Sequence, residues 1–123
     1  MWRGEDKLAV QVGQVGHYGT VIVEAEPVDC DGALTLDFDP SVPDKFKCAA
    51  LFGIEYALEH LSQRTHFPNG GRVRVLHIGS NPVDTKSVVI AFVAANAMYK
   101  ALGIEPTKKP AFDKETGMFT FPK

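Results

Sequence analysis

Cysteine is scarce in this chain: Cys30 and Cys48 alone cannot make a disulfide framework or a cysteine-built zinc site. Basic charge is also short, since 13 Lys and Arg face 15 Asp and Glu and leave a formal net charge of -2. Generic nucleic-acid binding needs a basic field that displaces counterions from phosphates, so it is disfavoured, while a local contact with structured RNA stays open. No apolar run is long enough to span a bilayer; the one over 88–95 is bracketed by Lys86 and Lys100. The opening MWRGEDKLAV carries charge where a signal peptide has its apolar core. We therefore expect a cytoplasmic, reduced protein with no membrane partner. Low-complexity tracts and internal repeats are missing too, which excludes linker-like and solenoid architectures.

What is there fits a single domain over residues 1–123, with 45% hydrophobic and 23% charged residues. Residues 7–12 alternate, with Leu8, Val10 and Val12 on one face, and predict a half-buried strand. The loop GQVGHYG leads into TVIVEAEP, where Val21, Val23 and Ala25 face one way and Pro27 ends the strand. Its clustered glycines predict a positive φ at Gly16 or Gly19. After a DCDG turn, ALTLDFD predicts a third strand that buries Leu34, Leu36 and Phe38. Ser41 and Asp44 resemble a capping box, and Phe46, Ala50, Ile54, Ala57, Leu58 and Leu61 recur at helical spacing behind it. RVRVLHI predicts a fourth strand. A second helix follows, capped near Asp84 and ended by Gly103, and it is apolar on almost every side from Val88 to Tyr99. The tail over about 110–122 predicts a hairpin with Gly117 in its turn. The fold class is thus α+β, a two-layer sandwich. A mainly antiparallel sheet of at least four strands carries two helices on one face, in the order β-β-β-α-β-α, with a C-terminal hairpin. The second helix should lie between the sheet, the first helix and the tail.

Chemistry-bearing residues form no constellation. His17, His60, His66 and His77 stand at no metal-ligand spacing, and no metal or cofactor is implied. His77 is in phase with Val73 and Val75, which predicts a hydrogen-bonded core histidine, and His60 falls in the last turns of the first helix. Asp29 and Asp31 imitate the start of a calcium loop, but Ala33 takes the next ligand place. Cys48 lies in a helical pattern and predicts a small buried side chain rather than a nucleophile; Ser80 and Ser87 lack a nucleophile elbow. Glu24, Glu26, Asp37 and Asp39 should point outward with Arg72 and Arg74, making an acidic, ion-paired sheet face ill suited to RNA. No catalytic group is assigned.

In order along the chain come GHYGTVIVEAEP, SVPDKF, GIEYAL, a strand ending in GS, then VD and a helix ending AMYKAL. This ordered set, over about residues 13–103, resembles domain IV of translation elongation factor G. The resemblance implies the two-layer fold. It also implies that two glycine-bearing loops lie side by side at a tip that reaches the ribosomal decoding region. Carried over, the tip residues are Gly13, Gly16, His17 and Tyr18 on one loop, with Gly79, Ser80, Asn81 and Pro82 on the other. Asn81 and Pro82 stand where the family's loop carries a histidine, and these residues contain no Walker-type loop.

The expected function is a non-enzymatic binding domain that contacts RNA, the ribosome or a ribosome-associated partner through this tip. Two alternatives belong to other classes. One is a small enzyme or ligand-binding protein with a polar cleft near His17, His66 or His77. The other is a homodimer or protein-interaction module using an exposed sheet edge. A basic, aromatic tip would favour the first reading, a closed polar pocket the second and a large apolar patch the third.

Overall fold

A computed structural model of the chain describes residues 2–59, 67–106 and 109–122. The elements are β1 (Trp2–Val12), β2 (Val15–Pro27), β3 (Leu34–Phe38), α1 (Lys47–Glu59), β4 (Gly71–Gly79), α2 (Ser87–Leu102), β5 (Ala111–Phe112) and β6 (Phe119–Thr120). The first four strands in sequence order build one sheet arranged β1-β2-β4-β3, and β5 pairs with β6 in a separate hairpin. β1–β2 and β2–β4 are antiparallel, whereas β3 runs parallel to β4 because α1 returns the chain between them. The expected α+β sheet of at least four strands with two helices and a tail hairpin is therefore present, and the sheet is mixed.

The inward positions of β2 and β4 carry the core: Val21, Val23, Val73 and Val75 are each at most 1% exposed. Burying such a side chain contributes roughly 1.5–3 kcal/mol. Leu8, Leu34, Leu36 and Phe38 pack against this core while partly buried, as edge-strand residues do. On α2, Val89, Ile90, Val93, Ala94, Ala97 and Met98 are fully buried. The helix is covered on one side by β1 and β2, on another by α1 and on a third by the tail. There Phe92 meets Phe112 and Phe119 edge-on at 6.4 and 5.3 Å. The tail continues to α1, where Phe121 packs against Phe52 and Tyr56, each at 5.4 Å, and the Tyr56 hydroxyl donates to the Pro122 carbonyl. Small residues set the helix spacing: a Cβ on Gly53 of α1 would run into the Ala91 carbonyl of α2. Tyr99 is buried with no hydrogen-bond partner for its hydroxyl, and burial pushes its pKa up to about 12.

Several local expectations need correction. β1 begins at Trp2, well before residue 7, because its early inward positions are Gly4, over which α2 passes, and Asp6, which binds Lys100 at 2.6 Å. Neither is apolar, so the alternation is hidden. Gly16 and Gly19 do not have positive φ; the β1–β2 turn falls earlier, at Gly13, with φ 60°. His77 is exposed rather than in the core. A bulge pairs Ile22 with His77 but Val23 with Val75, so Leu76 is extra and Ile78 becomes the buried residue. Cys48 is exposed, on the outer side of α1.

The capping box does not form. Asp39 accepts from the Ser41 N–H at 3.0 Å, and a single 3₁₀ turn over Asp44–Phe46 leads into α1. α2 starts at Ser87 with Lys86 in the cap position and no side-chain cap, while Gly103 ends it with φ 68°, as expected. His60, Leu61 and His66 lie outside the described residues.

Candidate binding tip

β2 outlasts its partner on one side: the β2–β4 ladder ends at Thr20 opposite Gly79, whereas the β1–β2 hairpin runs on to Val12 opposite Val15. The hairpin therefore projects beyond the sheet, and the chain leaving Gly79 is free to fold back along it. It does so through Asn81. The Asn81 side-chain carbonyl accepts from the Val83 N–H at 2.9 Å and the Asp84 N–H at 3.4 Å, a local turn that asparagine forms readily. The Thr85 N–H donates to the Asn81 carbonyl at 3.1 Å, and the Asn81 N–H donates to the Thr85 hydroxyl at 2.7 Å. The same hydroxyl donates to the Tyr18 carbonyl at 2.8 Å, and the Tyr18 N–H donates to the Asp84 carbonyl at 3.2 Å. The turn is thus tied to β2 by both backbone groups of Tyr18.

Gly16 is part of this junction. A Cβ there would fall 2.6–2.7 Å from the Asp84 carboxyl group, so a larger residue would push that side chain aside. The glycine serves close approach, not an unusual φ.

The tip residues named from the sequence thus take different roles. Gly13 and Asn81 shape the two turns, Gly16 and Tyr18 form the seam, and Ser80, Asn81 and Pro82 are exposed. His17 is not presented to solvent. It is 6% exposed, lies edge-on to Phe112 at 5.3 Å and Phe119 at 5.7 Å, and its Nδ1 has no hydrogen-bond partner. The tail hairpin covers it, with Gly117 beside its Nε2.

Beside the exposed polar groups, three large apolar side chains point outward at this end. Val15 is 47% exposed, Val83 82%, and Met118, beside Gly117 in the tail turn, 63%. Val15 adjoins the Gly16–Asp84 contact, Val83 adjoins Asp84, and Gly117 lies near Val12, the partner of Val15. The three thus stand on separate segments whose neighbouring residues meet at this end. Residues 79–86 add one Asp and one Lys, Asp84 and Lys86, which cancel. Pattern reading missed Val15, Val83 and Met118, because their neighbours at 14, 16, 82, 84 and 117 form no apolar run with them.

The open sheet face is ion-paired, with Arg72 to Glu26 at 3.2 Å and Arg74 to Asp37 and Asp39 at 3.7 Å each. Neither of the two larger grooves contains His17 or His77. One, of ≈ 420 Å³, lies between β3 and α1; the other, of ≈ 310 Å³, lies between β1, α2 and residues 104–106 and 109–110. Among the described residues no three of His, Cys, Asp or Glu gather as a metal site would need. Among them too, no helix is long and apolar enough to cross a membrane.

No protein-family model and no curated protein matches the chain. Among solved structures, a crystal structure of a Thermus thermophilus protein matches 83% of this chain at 24% identity, with a TM-score of 0.67. That likeness shows a shared fold. The chain spans 16% of the length of that protein, where the fold is one part of a larger polypeptide. Mevalonate kinase from methicillin-resistant Staphylococcus aureus matches 87% of this chain and 41% of its own, at 14% identity and a TM-score of 0.36. A likeness at that score bears on neither fold nor function.

Proposed function

We propose that this chain is a non-enzymatic binding domain, similar to domain IV of elongation factor G, that engages the ribosome or a ribosome-associated partner through its paired tip loops. The observation that carries the reading is the seam between them: both backbone groups of Tyr18 are bonded to residues 84 and 85. A loop fixed in this way loses little entropy on binding, so its exposed side chains act as a preformed surface. The asparagine turn and the Thr85 bridge hold the loop against β2.

The exposed apolar trio of Val15, Val83 and Met118 favours a protein surface over bare RNA as the partner. It also supports a protein-interaction module as the second reading. The test is co-sedimentation with ribosomes from a cell lysate, with and without ribonuclease, at low and high salt. The variant is Val15→Glu with Val83→Glu, because both side chains are exposed, with folding checked by circular dichroism. His17 is unsuitable as a probe, being part of the core under the tail. Loss of sedimentation in the folded variant supports the tip. Absence of the wild type from every ribosomal fraction removes the translational role.

A further inference from the structure

The two halves of the helical layer sit differently on the sheet. α2 lies close on β1 and β2, and Gly4 and Gly19 leave room for it; α1 packs chiefly on α2 and makes no comparable approach to β3 or β4 among the described residues. The wedge left under α1 opens at the β3 edge as the groove of ≈ 420 Å³. Ile54 and Val73 form its floor, each 1% exposed, and Leu36, Leu51 and Leu58 line its walls. Glu55 and Glu59, both exposed, stand at its rim.

Among the described residues, the strand beside the groove has one neighbour, β4. The Ala33 carbonyl accepts from the Gly71 N–H, and the Asp39 N–H donates to the Val75 carbonyl. Backbone groups alternate between the two edges of a strand, so Thr35 and Asp37 also face β4. Leu34, Leu36 and Phe38 turn their N–H and C=O groups outward. Edge strands are commonly guarded by charges or proline. β1 fits that rule with Arg3, Glu5 and Lys7, whereas β3 has a single charge, Asp37, held towards Arg74 of β4, and no Pro or Lys between Leu34 and Phe38.

We infer that the β3 edge and the groove beside it form a docking site for an extended, basic segment of a partner protein. The segment adds as a further strand on Leu34–Phe38, puts alternate apolar side chains into the groove, and sets Lys or Arg against Glu55 and Glu59. Unpaired strand amides reward an extended chain and not a helix. The acidic rim selects a basic segment and disfavours a second copy of this chain, whose own Glu55 and Glu59 would come to the same groove. This surface shares no residue with the tip and stands whether or not the tip binds ribosomes.

The probe is a short synthetic peptide alternating Lys with Val and Ile, compared with its counterpart in which Glu replaces Lys. Amide exchange and chemical shifts of the labelled full chain are followed by NMR. The Lys peptide should slow exchange at Leu36 and Phe38 and shift Leu51 and Leu58, and the Glu peptide should bind roughly tenfold more weakly. Glu55→Lys with Glu59→Lys, both on exposed positions, should reverse the preference while circular dichroism stays unchanged. The inference is overturned by equal binding of the two peptides, by shifts at the tip or open face alone, or by binding that leaves Leu36 and Phe38 exchanging freely. It is equally overturned if sedimentation shows the chain pairing with itself through β3.

Discussion

Replacing Gly4 with alanine should destabilise the domain by about 3 kcal/mol, the upper end of the range for overpacking. A Cβ on Gly4 would run into the Ala97 carbonyl oxygen and the Ala101 amide nitrogen of α2, and would lie 2.9 Å from the Ala101 Cα. All three are main-chain atoms, so no rotamer change relieves the clash. α2 would have to slide off β1, yet its other flank is fixed where Gly53 of α1 meets the Ala91 carbonyl. For a chain of this size, the loss corresponds to a fall in Tm of roughly 10 °C. Urea unfolding can be followed through Trp2, the chain's one tryptophan, which lies on the same face of β1 and packs edge-on to Phe67 at 5.7 Å. Adding Ala101→Gly should not rescue the variant, because the clash is with backbone; it should subtract about 1 kcal/mol more, the usual cost of glycine inside a helix. The reasoning fails if Gly4→Ala unfolds within about 0.5 kcal/mol of the wild type, or if Ala101→Gly restores it.

Asn81→Ala should leave global unfolding within about 1 kcal/mol of the wild type while the Val83 and Asp84 amides exchange faster, since it removes the acceptor that holds both. Tyr99→Phe should be neutral or stabilising, because it deletes a buried hydroxyl that has no partner. The wild type should also lose stability as pH rises from the ordinary tyrosine value near 10 towards about 12, where the fold still holds the Tyr99 proton and the unfolded chain has released it; the Phe variant should lose less over that window. Backbone N–H donors, from Ser41 to Asp39 and from Glu115 to Asp113, hold both carboxyls below their usual range, with the Ser41 side chain and Arg74 adding to the effect at Asp39. Their contribution is present above the ordinary carboxylate value and lost as pH falls through the lowered one, so Asp39→Asn with Asp113→Asn should flatten the acid limb of a thermal-melt series below pH ~4.

The strands with clean alternation were legible from the residues alone, because Val21, Val23, Leu34 and Leu36 had to share a face with the helices. So was the all-round burial of α2, since a helix with apolar residues on every side needs covers on every side. What escaped was set by contacts distant in sequence. The early half of β1 is hidden because Gly4 answers to α2 and not to solvent. The reversal of His77 follows from one extra residue at Leu76, which flips every later side chain to the other face. At the tip, side-by-side loops were an expectation from resemblance, whereas the burial of His17 depends on a hairpin nearly a hundred residues away in sequence.

The apolar character of the tip bears directly on its partner. A single exposed valine means little on any surface; what matters here is that Val15, Val83 and Met118 are all exposed on segments that meet at this end. With Asp84 and Lys86 cancelling, the tip has no field to gather phosphates. An RNA contact made there would rest on polar loop groups and weaken as salt rises. An apolar protein contact behaves oppositely, since excluded salts such as sulfate strengthen burial. The sign of the salt dependence therefore separates the two partners within one co-sedimentation series. Ammonium sulfate that strengthens retention, together with resistance to ribonuclease, points to a ribosomal or ribosome-associated protein. Weakening by both treatments points to RNA and would leave the exposed trio without a role.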